Sequence, residues 1–242
     1  MKTSNRCFQF GGVLTKLIPY FIAVVIYFTD FIPIESDIVG IVIKCLPIWC
    51  LIIFVGLHTI NYEKEYKWFC YMVMFGLLFG SLGDALLYIG NFIEGAASFA
   101  VGHIFYITAY GWNPRAWIFG VICYALIIGL SIYIIPYLDG FLIVGLPLYG
   151  AIIVTMLWRA SARIYLKKDW TITKWFVVFC AINFVVSDAF IGIDMFVTDI
   201  PNSHYIIMST YYVAQLGMAI SVLDPRIPEK HKDIGKCTIF YC

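Results

Sequence analysis

The sequence predicts an all-α membrane protein whose eight transmembrane helices form one polytopic domain, residues 1–242. Three observations lead to this prediction. The 242-residue chain is 62% hydrophobic and only 13% charged, with a mean hydropathy of +0.88, outside the range of soluble globular proteins. Apolar stretches of about 20 residues, long enough to cross a bilayer, follow one another along the chain. The loops between them are too short to hold a separate domain.

The predicted spans fill nearly the whole chain. They cover residues 14–34, 38–58, 68–90, 92–111, 116–137, 140–160, 172–195 and 203–223, and a polar tail follows at 226–242. Fourteen of the sixteen Lys and Arg residues fall on the side that holds both termini, and the four opposite loops contain none. The positive-inside rule therefore predicts that both termini and the tail are cytosolic.

The third span carries Gly76, Gly80 and Gly83 at helical spacing. Small residues in such a row let a neighbouring membrane helix approach closely. We therefore expect another helix to pack against this face.

Two pairs of short motifs predict an internal duplication of four spans plus four. "KCLPIWC" at 44–50 resembles "VGLPLYG" at 144–150, and "FGSLGDALL" in the third span resembles "FVVSDAFI" in the seventh. Four spans separate the members of each pair, so the two halves would have parallel topology. Folds of this kind bind substrate at the interface between the repeats.

Asp84 and Asp188 lie inside apolar spans and are predicted to share one depth. Each stands about 16 residues, or ~24 Å, from the cytosolic start of its span. Lys44 has a matching depth, because it follows the opposite end of the second span by about six residues, or ~9 Å. An ionisable side chain inside a membrane costs at least ~2.5 kcal/mol, so all three should face the bundle interior and find partners.

Two interpretations of this layer stay open from the residues. In one, Lys44 forms a structural ion pair with one aspartate, and the other aspartate is protonated and hydrogen-bonded. In the other, the layer is a wet cavity in which two carboxyl groups beside one lysine hold different protonation states. One carboxyl group would then act as an acid and the other as a base.

The fourth span presents a polar pair among aromatic and small residues. Phe92, Gly95, Phe99, His103 and Tyr106 recur at intervals of three and four, so they share one helix face. His103 and Tyr106 are therefore candidates for contact with the ionisable layer.

The eighth span and the residues before the aspartates supply further candidates. Tyr211 and Gln215 stand four residues apart on one face, and Tyr212 follows on the next. Ser81 and Ser187 precede the two aspartates along the chain and are expected to orient them. Gln215 needs buried hydrogen-bond partners at this depth.

Missing motifs exclude several familiar chemistries. The sequence has no G-x-S-x-G, no H-E-x-x-H, no Walker loop and no glycine-rich dinucleotide fingerprint. Its four histidines lack the spacing of metal ligands, so the sequence predicts neither a metal nor another cofactor. The formal net charge of +1 predicts no nucleic-acid partner.

Five motifs in order along the spans resemble one known family. They are "IKCLP" in the second span, "SLGDALL" in the third, F-x-x-G-x-x-x-F-x-x-x-H-x-x-Y in the fourth, "FVVSD" in the seventh and "STYYVAQ" in the eighth. Together, over residues 13–225, they resemble the lysoplasmalogenase family, the YhhN-like multispanning membrane proteins. The stretch "IIMSTYYVAQ" is similar to the vertebrate members.

The resemblance implies an ether hydrolase that cleaves the vinyl ether bond of lysoplasmalogens, 1-alkenyl-glycerophosphocholine or -ethanolamine. The products would be a fatty aldehyde and the glycerophospho-headgroup. It implies Asp84 and Asp188 as the catalytic acid and base. Substrate, water or the aspartates would be held by Lys44, Ser81, His103, Tyr106, Ser187, Tyr211, Tyr212 and Gln215. Expected partners are the lysophospholipid and membrane lipids, a homodimer is left open, and the implied location is the endoplasmic reticulum.

Two other functions stay open from the sequence. Intramembrane acids in a two-repeat bundle also mark proton-coupled transport of a small solute or lipid, which predicts flux without a change in substrate. A packing or lipid-sensing protein would keep Lys44 and one aspartate as a structural pair. It predicts that changing Asp84 or Asp188 to asparagine lowers stability together with any function.

Overall fold

The computed structural model of the chain describes residues 2–29, 32–33, 35–60, 62–165 and 170–224, with side chains from residue 12 onward. This described part is all-helical and has no strand. Its helices are α1 (Lys2–Phe28), α2 (Asp37–Ile60), α3 (Lys64–Tyr88), α4 (Phe92–Tyr110), α5 (Trp117–Ile134), α6 (Leu142–Ala162), α7 (Ile172–Phe196) and α8 (Ser203–Ile220). Short 3-10 turns at Ile135–Tyr137 and Ser221–Leu223 extend α5 and α8. The predicted tail at 226–242 lies outside the described residues.

Seven helices of the described part, α2 to α8, are long and apolar enough to cross a membrane. The apolar part of α1, Gly12–Phe28, is shorter than these. A chain with so many spanning helices is a multi-pass membrane protein, as the sequence predicts.

The first helix ends earlier than the sequence predicts. A span is expected over 14–34, whereas α1 ends at Phe28 and a turn follows at Thr29. Pro33 disfavours helix in the last part of the predicted span, because proline lacks the amide donor that a continuing helix needs and restricts the residue before it. The other predicted spans coincide closely with the observed helices.

The helices pack in two consecutive sets of four. α1 packs on α2, α2 on α3 and α3 on α4, and in the second set α5 packs on α6, α6 on α7 and α7 on α8. The sets meet where α4 contacts α6 and where α8 contacts α2 and α3. Among the candidate spans α8 is the most buried helix and α5 the most exposed, so α5 leaves most of its surface to lipid.

The three glycines of α3 admit large side chains from α4 and α8, as the sequence predicts. A methyl group added at Gly76 would lie 2.3 Å from the ring of Tyr106. One added at Gly80 would lie 2.7 Å from the amide nitrogen of Gln215, and Gly83 faces a ring of α4 in the same way. These close approaches bring polar side chains of α4 and α8 to the backbone of α3.

Arg159, counted among the cytosolic cations in the sequence, is fully buried at the end of α6. Its guanidinium donates hydrogen bonds to the carbonyl oxygens of Gly111 (2.6 Å), Pro114 (2.8 Å) and Arg115 (3.1 Å). The indole of Trp158 also donates to the Arg115 carbonyl, at 2.9 Å. This arginine therefore fixes the loop between α4 and α5. It has a structural role in addition to its place among the cations that predict the orientation in the membrane.

Candidate active site

A cavity of about 540 Å³ lies inside the bundle, and every helix contributes to its lining. Its volume falls in the range of small-molecule sites, which are lined mostly by apolar side chains. Lys44, Asp84 and Asp188 all line it, from α2, α3 and α7. The three ionisable groups thus border one cavity.

Asp84 is 2% exposed and has a partner on each carboxylate oxygen. The hydroxyl of Tyr211 donates to Oδ2 at 2.6 Å, and the Lys44 Nζ lies 3.9 Å from Oδ1. Tyr211 in turn accepts from Gln215 Nε2 at 3.0 Å, and Gln215 Oε1 accepts from the hydroxyl of Tyr106 at 2.9 Å. This network connects α2, α3, α4 and α8, and both Lys44 and Tyr211 stabilise the ionised carboxylate.

Lys44 is paired with Asp84 more loosely than a structural ion pair would be. The separation of 3.9 Å is too long for a hydrogen bond. Among the described residues the ammonium makes no hydrogen bond, and its side chain is 14% exposed at the cavity. The backbone carbonyl of Lys44 accepts from the hydroxyl of Tyr212 at 2.9 Å. Tyr212 therefore fixes the backbone of α2 at Lys44, and no described residue accepts a hydrogen bond from the ammonium.

Asp188, on α7, borders the same cavity but has a different environment. The hydroxyl of Tyr149, from α6, donates to Asp188 Oδ2. The Nε2 atom of His103 lies 3.4 Å from the same hydroxyl. The ion pairs found in the described part of the chain do not include Asp188. The two carboxyl groups therefore differ in charge environment, although each binds a tyrosine.

His103 lies behind Tyr149 and supports it from outside the cavity lining. Its ring is 1% exposed and packs edge-on against Phe184, with 4.6 Å between ring centroids. Within the described residues its Nδ1 has no hydrogen-bond partner. A charged imidazole would leave an N–H unpaired there, so the buried position favours the neutral ring with its hydrogen on Nε2, donating to Tyr149.

The two serines beside the aspartates bind other groups. Ser81 accepts a hydrogen bond from Trp49 Nε1 at 2.8 Å, and Ser187 donates to the carbonyl of Ile207 at 3.0 Å. These contacts connect α3 to α2 and α7 to α8, so they do not support the prediction that the serines orient the carboxyl groups. Ser187, next to Asp188 in sequence, points about 100° away from it around the helix, whereas Ser81, three residues before Asp84, is turned by only about 60° and binds Trp49 instead.

Tyr149 is the site residue that sequence reasoning missed. A signal for it was present, because the alignment of "VGLPLYG" with "KCLPIWC" sets Tyr149 opposite Trp49. Trp49 binds α3 through Ser81, and Tyr149 binds α7 through Asp188 itself, so each ring contacts the helix that carries the nearby aspartate.

No group of three or more possible metal ligands occurs among the described residues.

Comparison with known proteins identifies relatives over most of the chain. The profile of the YhhN family matches residues 39–222. Lysoplasmalogenase TMEM86A of Homo sapiens is 36% identical over 233 residues, covering 91% of this chain and 94% of the relative. Lysoplasmalogenase TMEM86B of Mus musculus is 30% identical over 219 residues, covering 89% of each chain. No solved structure matches the chain.

Proposed function

Because this chain belongs to the YhhN family, we propose that it is an intramembrane lysoplasmalogenase, an ether hydrolase that cleaves the vinyl ether bond of 1-alkenyl-glycerophosphocholine or -ethanolamine. Two relatives that carry the name lysoplasmalogenase match it along about nine tenths of its length. The observation that carries the proposal is that two carboxyl side chains, Asp84 and Asp188, face one mostly apolar cavity. That arrangement suits a reaction on a lipid that needs an acid and a base.

Vinyl ether hydrolysis calls for a positioned acid and a group that activates water, which two carboxyl groups can supply, and it needs no acyl-enzyme nucleophile. The reaction begins when an acid protonates the vinyl carbon farther from the ether oxygen, which creates an oxocarbenium-like centre. A carboxylate then stabilises this cation and activates the water that attacks it, much as two carboxyl groups do in glycoside hydrolysis. The hemiacetal that results collapses to the aldehyde.

We assign Asp188 as the acid and Asp84 as the base from the difference between their neighbours. Each carboxyl group accepts a hydrogen bond from a tyrosine hydroxyl, but only Asp84 also lies beside a cation, Lys44, which favours its ionised form. Asp188 gives its proton to the vinyl carbon, and Asp84 takes a proton from the attacking water. As the hemiacetal collapses, its hydroxyl proton returns to Asp188 and Asp84 protonates the departing glycerol oxygen. Both carboxyl groups end the cycle as they began, with one water consumed.

The apolar part of the cavity suits the single alkenyl chain of the substrate. Its lining there comes from α5, α6 and α7 and includes Ile127, Leu130, Ile134, Ile153, Ile191 and Met195. Since α5 is the most exposed candidate span, this wall adjoins the lipid from which such a chain would enter. A phospholipid with two chains would need more room on the same side.

We further propose that α1 is an eighth span and that both termini are cytosolic. The apolar part Gly12–Phe28 has 17 residues, at the lower end of the length that crosses a bilayer.

The predicted duplication is supported by matching helix contacts, because α3 packs on α4 as α7 packs on α8, and α4 meets α6 as α8 meets α2. Residence in the endoplasmic reticulum and assembly as a homodimer stay predictions.

The test is to incubate the purified protein with lysoplasmenylethanolamine and to measure fatty aldehyde and glycerophosphoethanolamine. We expect wild type to form both and Asp188→Asn to lose about 10²-fold or more of the turnover, the range for removing a general acid. Asp194→Asn is the matched control on α7, since Asp194 accepts from the backbone nitrogen of Ile200 at 2.7 Å and lies outside the cavity lining. Wild type that makes no aldehyde but moves protons with a solute would favour the transporter instead.

A further inference from the structure

Lys44 brings to the cavity an ammonium group from which no described residue accepts a hydrogen bond. The Lys44 ammonium lies 3.9 Å from Asp84, beyond hydrogen-bond distance, and forms no hydrogen bond within the described residues. Its side chain is only 14% exposed and borders the cavity. A mostly buried ammonium that donates to no described residue is a favourable site for an anionic ligand.

A second donor, Tyr88, reaches the same face of α2. A methyl group added at Gly40 would lie 1.9 Å from the Tyr88 hydroxyl oxygen, so the absence of a side chain at Gly40 lets this hydroxyl rest against the helix. Gly40 precedes Lys44 by four residues, which places the two on one face about one turn, or ~5.4 Å, apart. Tyr88 lines the cavity, and its hydroxyl has no hydrogen-bond partner in the part of the chain that the structure describes.

Two more polar side chains border the cavity at this end of the bundle. Tyr27, near the end of α1, and His204, at the start of α8, both line it, and the Tyr27 hydroxyl lies 3.0 Å from His204 Nε2. The ends of α1 and α3 and the starts of α2 and α8 lie together here, since consecutive helices of the bundle run in opposite directions. At this end of the bundle, α1, α2, α3 and α8 thus contribute polar side chains to the lining, whereas α5, α6 and α7 supply the apolar lining named above.

We propose that Lys44 and Tyr88 form a subsite for the phosphodiester of the lysophospholipid headgroup, an inference that rests on the proposed function. The ammonium supplies the charge, and the hydroxyl donates one directed hydrogen bond. Three glycerol carbons and one oxygen separate the phosphorus from the ether oxygen of the substrate. A phosphate on Lys44 therefore leaves the vinyl ether next to Asp84, the carboxylate with which Lys44 is paired.

The test compares two substrates with the same alkenyl chain, lysoplasmenylethanolamine and the phosphate-free 1-alkenylglycerol. The ratio of their kcat/KM values measures what the phosphate contributes. We expect Tyr88→Phe to lower this ratio about tenfold, the loss of one hydrogen bond to a charged group. Gly40→Ala should lower it similarly, because the added methyl displaces the Tyr88 hydroxyl. Tyr133→Phe and Gly129→Ala are matched controls on the exposed α5, outside the cavity lining.

The outcomes separate this proposal from the one on which it rests. Wild type that cleaves both lipids, with the ratio unchanged in Tyr88→Phe and Gly40→Ala, would overturn the subsite and leave the hydrolase intact. Wild type that cleaves neither lipid would overturn both. Inhibition of 1-alkenylglycerol cleavage by glycerophosphoethanolamine but not by inorganic phosphate supports a headgroup site, and equal inhibition by inorganic phosphate would overturn it.

Discussion

The surroundings of Asp84 and of Asp188 differ most in charge. The difference comes from one position on the helix that precedes each aspartate in the chain, α2 for Asp84 and α6 for Asp188. Lys44 on α2 pairs with Asp84, whereas the aligned position on α6 is Val144 and brings no charge to Asp188. Asp188 binds Tyr149 instead, whose aligned residue on α2, Trp49, binds Ser81. The same acid on two similar helices thus acquires two chemistries from its neighbours, and a single cation accounts for most of the difference.

The largest effects are expected when each carboxyl group is removed in turn. Asp84→Asn and Asp188→Asn should each lower turnover by about 10²- to 10⁴-fold. In D₂O, Asp84→Asn should add deuterium to the vinyl carbon of recovered substrate, because protonation by Asp188 continues and reverses while water attack is slow. Asp188→Asn should add no deuterium, because it removes the acid. Mass spectrometry of the recovered lipid measures the deuterium content for each variant.

Asp194→Asn again serves as the control for the substitution itself, and the melting temperature of each variant shows whether it is folded. Deuterium in the lipid recovered from Asp188→Asn but not from Asp84→Asn would reverse the two roles. Full turnover in both folded variants would remove the aspartates from the mechanism altogether.

A smaller and unequal effect is expected from the two tyrosines. Tyr149→Phe leaves Asp188 without its hydrogen bond and removes the hydroxyl that His103 contacts, so kcat should fall about 10- to 100-fold. Tyr211→Phe leaves Asp84 paired with Lys44, so the loss should be less than tenfold. Steady-state kinetics on both variants measures this, with the exposed Tyr137→Phe as control.

Comparing the fall in kcat of Tyr149→Phe with that of Tyr211→Phe tests whether the two carboxyl groups differ in environment as the structure indicates. A greater loss in Tyr211→Phe than in Tyr149→Phe would mean that Lys44 supports Asp84 less than the geometry implies. An unchanged KM in both variants is expected, because neither hydroxyl is assigned to the headgroup.

The smallest effect is expected from the support behind Tyr211. Gly80→Ala places a methyl group 2.7 Å from Gln215 Nε2, which must move and weaken its hydrogen bond to Tyr211. We expect about a threefold lower kcat, because the end of a flexible side chain can adjust. Gly56→Ala is the matched control, with nothing within 4 Å of the added methyl. Equal kcat for the two variants would show that Gln215 does not position Tyr211.

Buried charges were the most informative part of the sequence. Asp84, Asp188 and Lys44 were predictable as one group, since their burial is too costly unless they face a common interior. Tyr149 was not singled out, although the motif that contains it was noted, because a tyrosine in a span is equally suited to packing or to lipid. Arg159 was counted with the cytosolic cations for a different reason, because nothing in the sequence around it indicates that the loop between α4 and α5 will enclose it.

The sequence by itself determined the helices, the membrane class, the family and the three charges at the cavity, because hydropathy and the cost of burying charge act along the chain. Only the tertiary structure decided which hydroxyl binds which carboxyl group and which donors of Lys44 and Tyr88 are left for a ligand. Those contacts depend on how each helix is rotated about its axis. A shift of one residue turns a side chain by about 100°, and packing between helices alone selects the rotation.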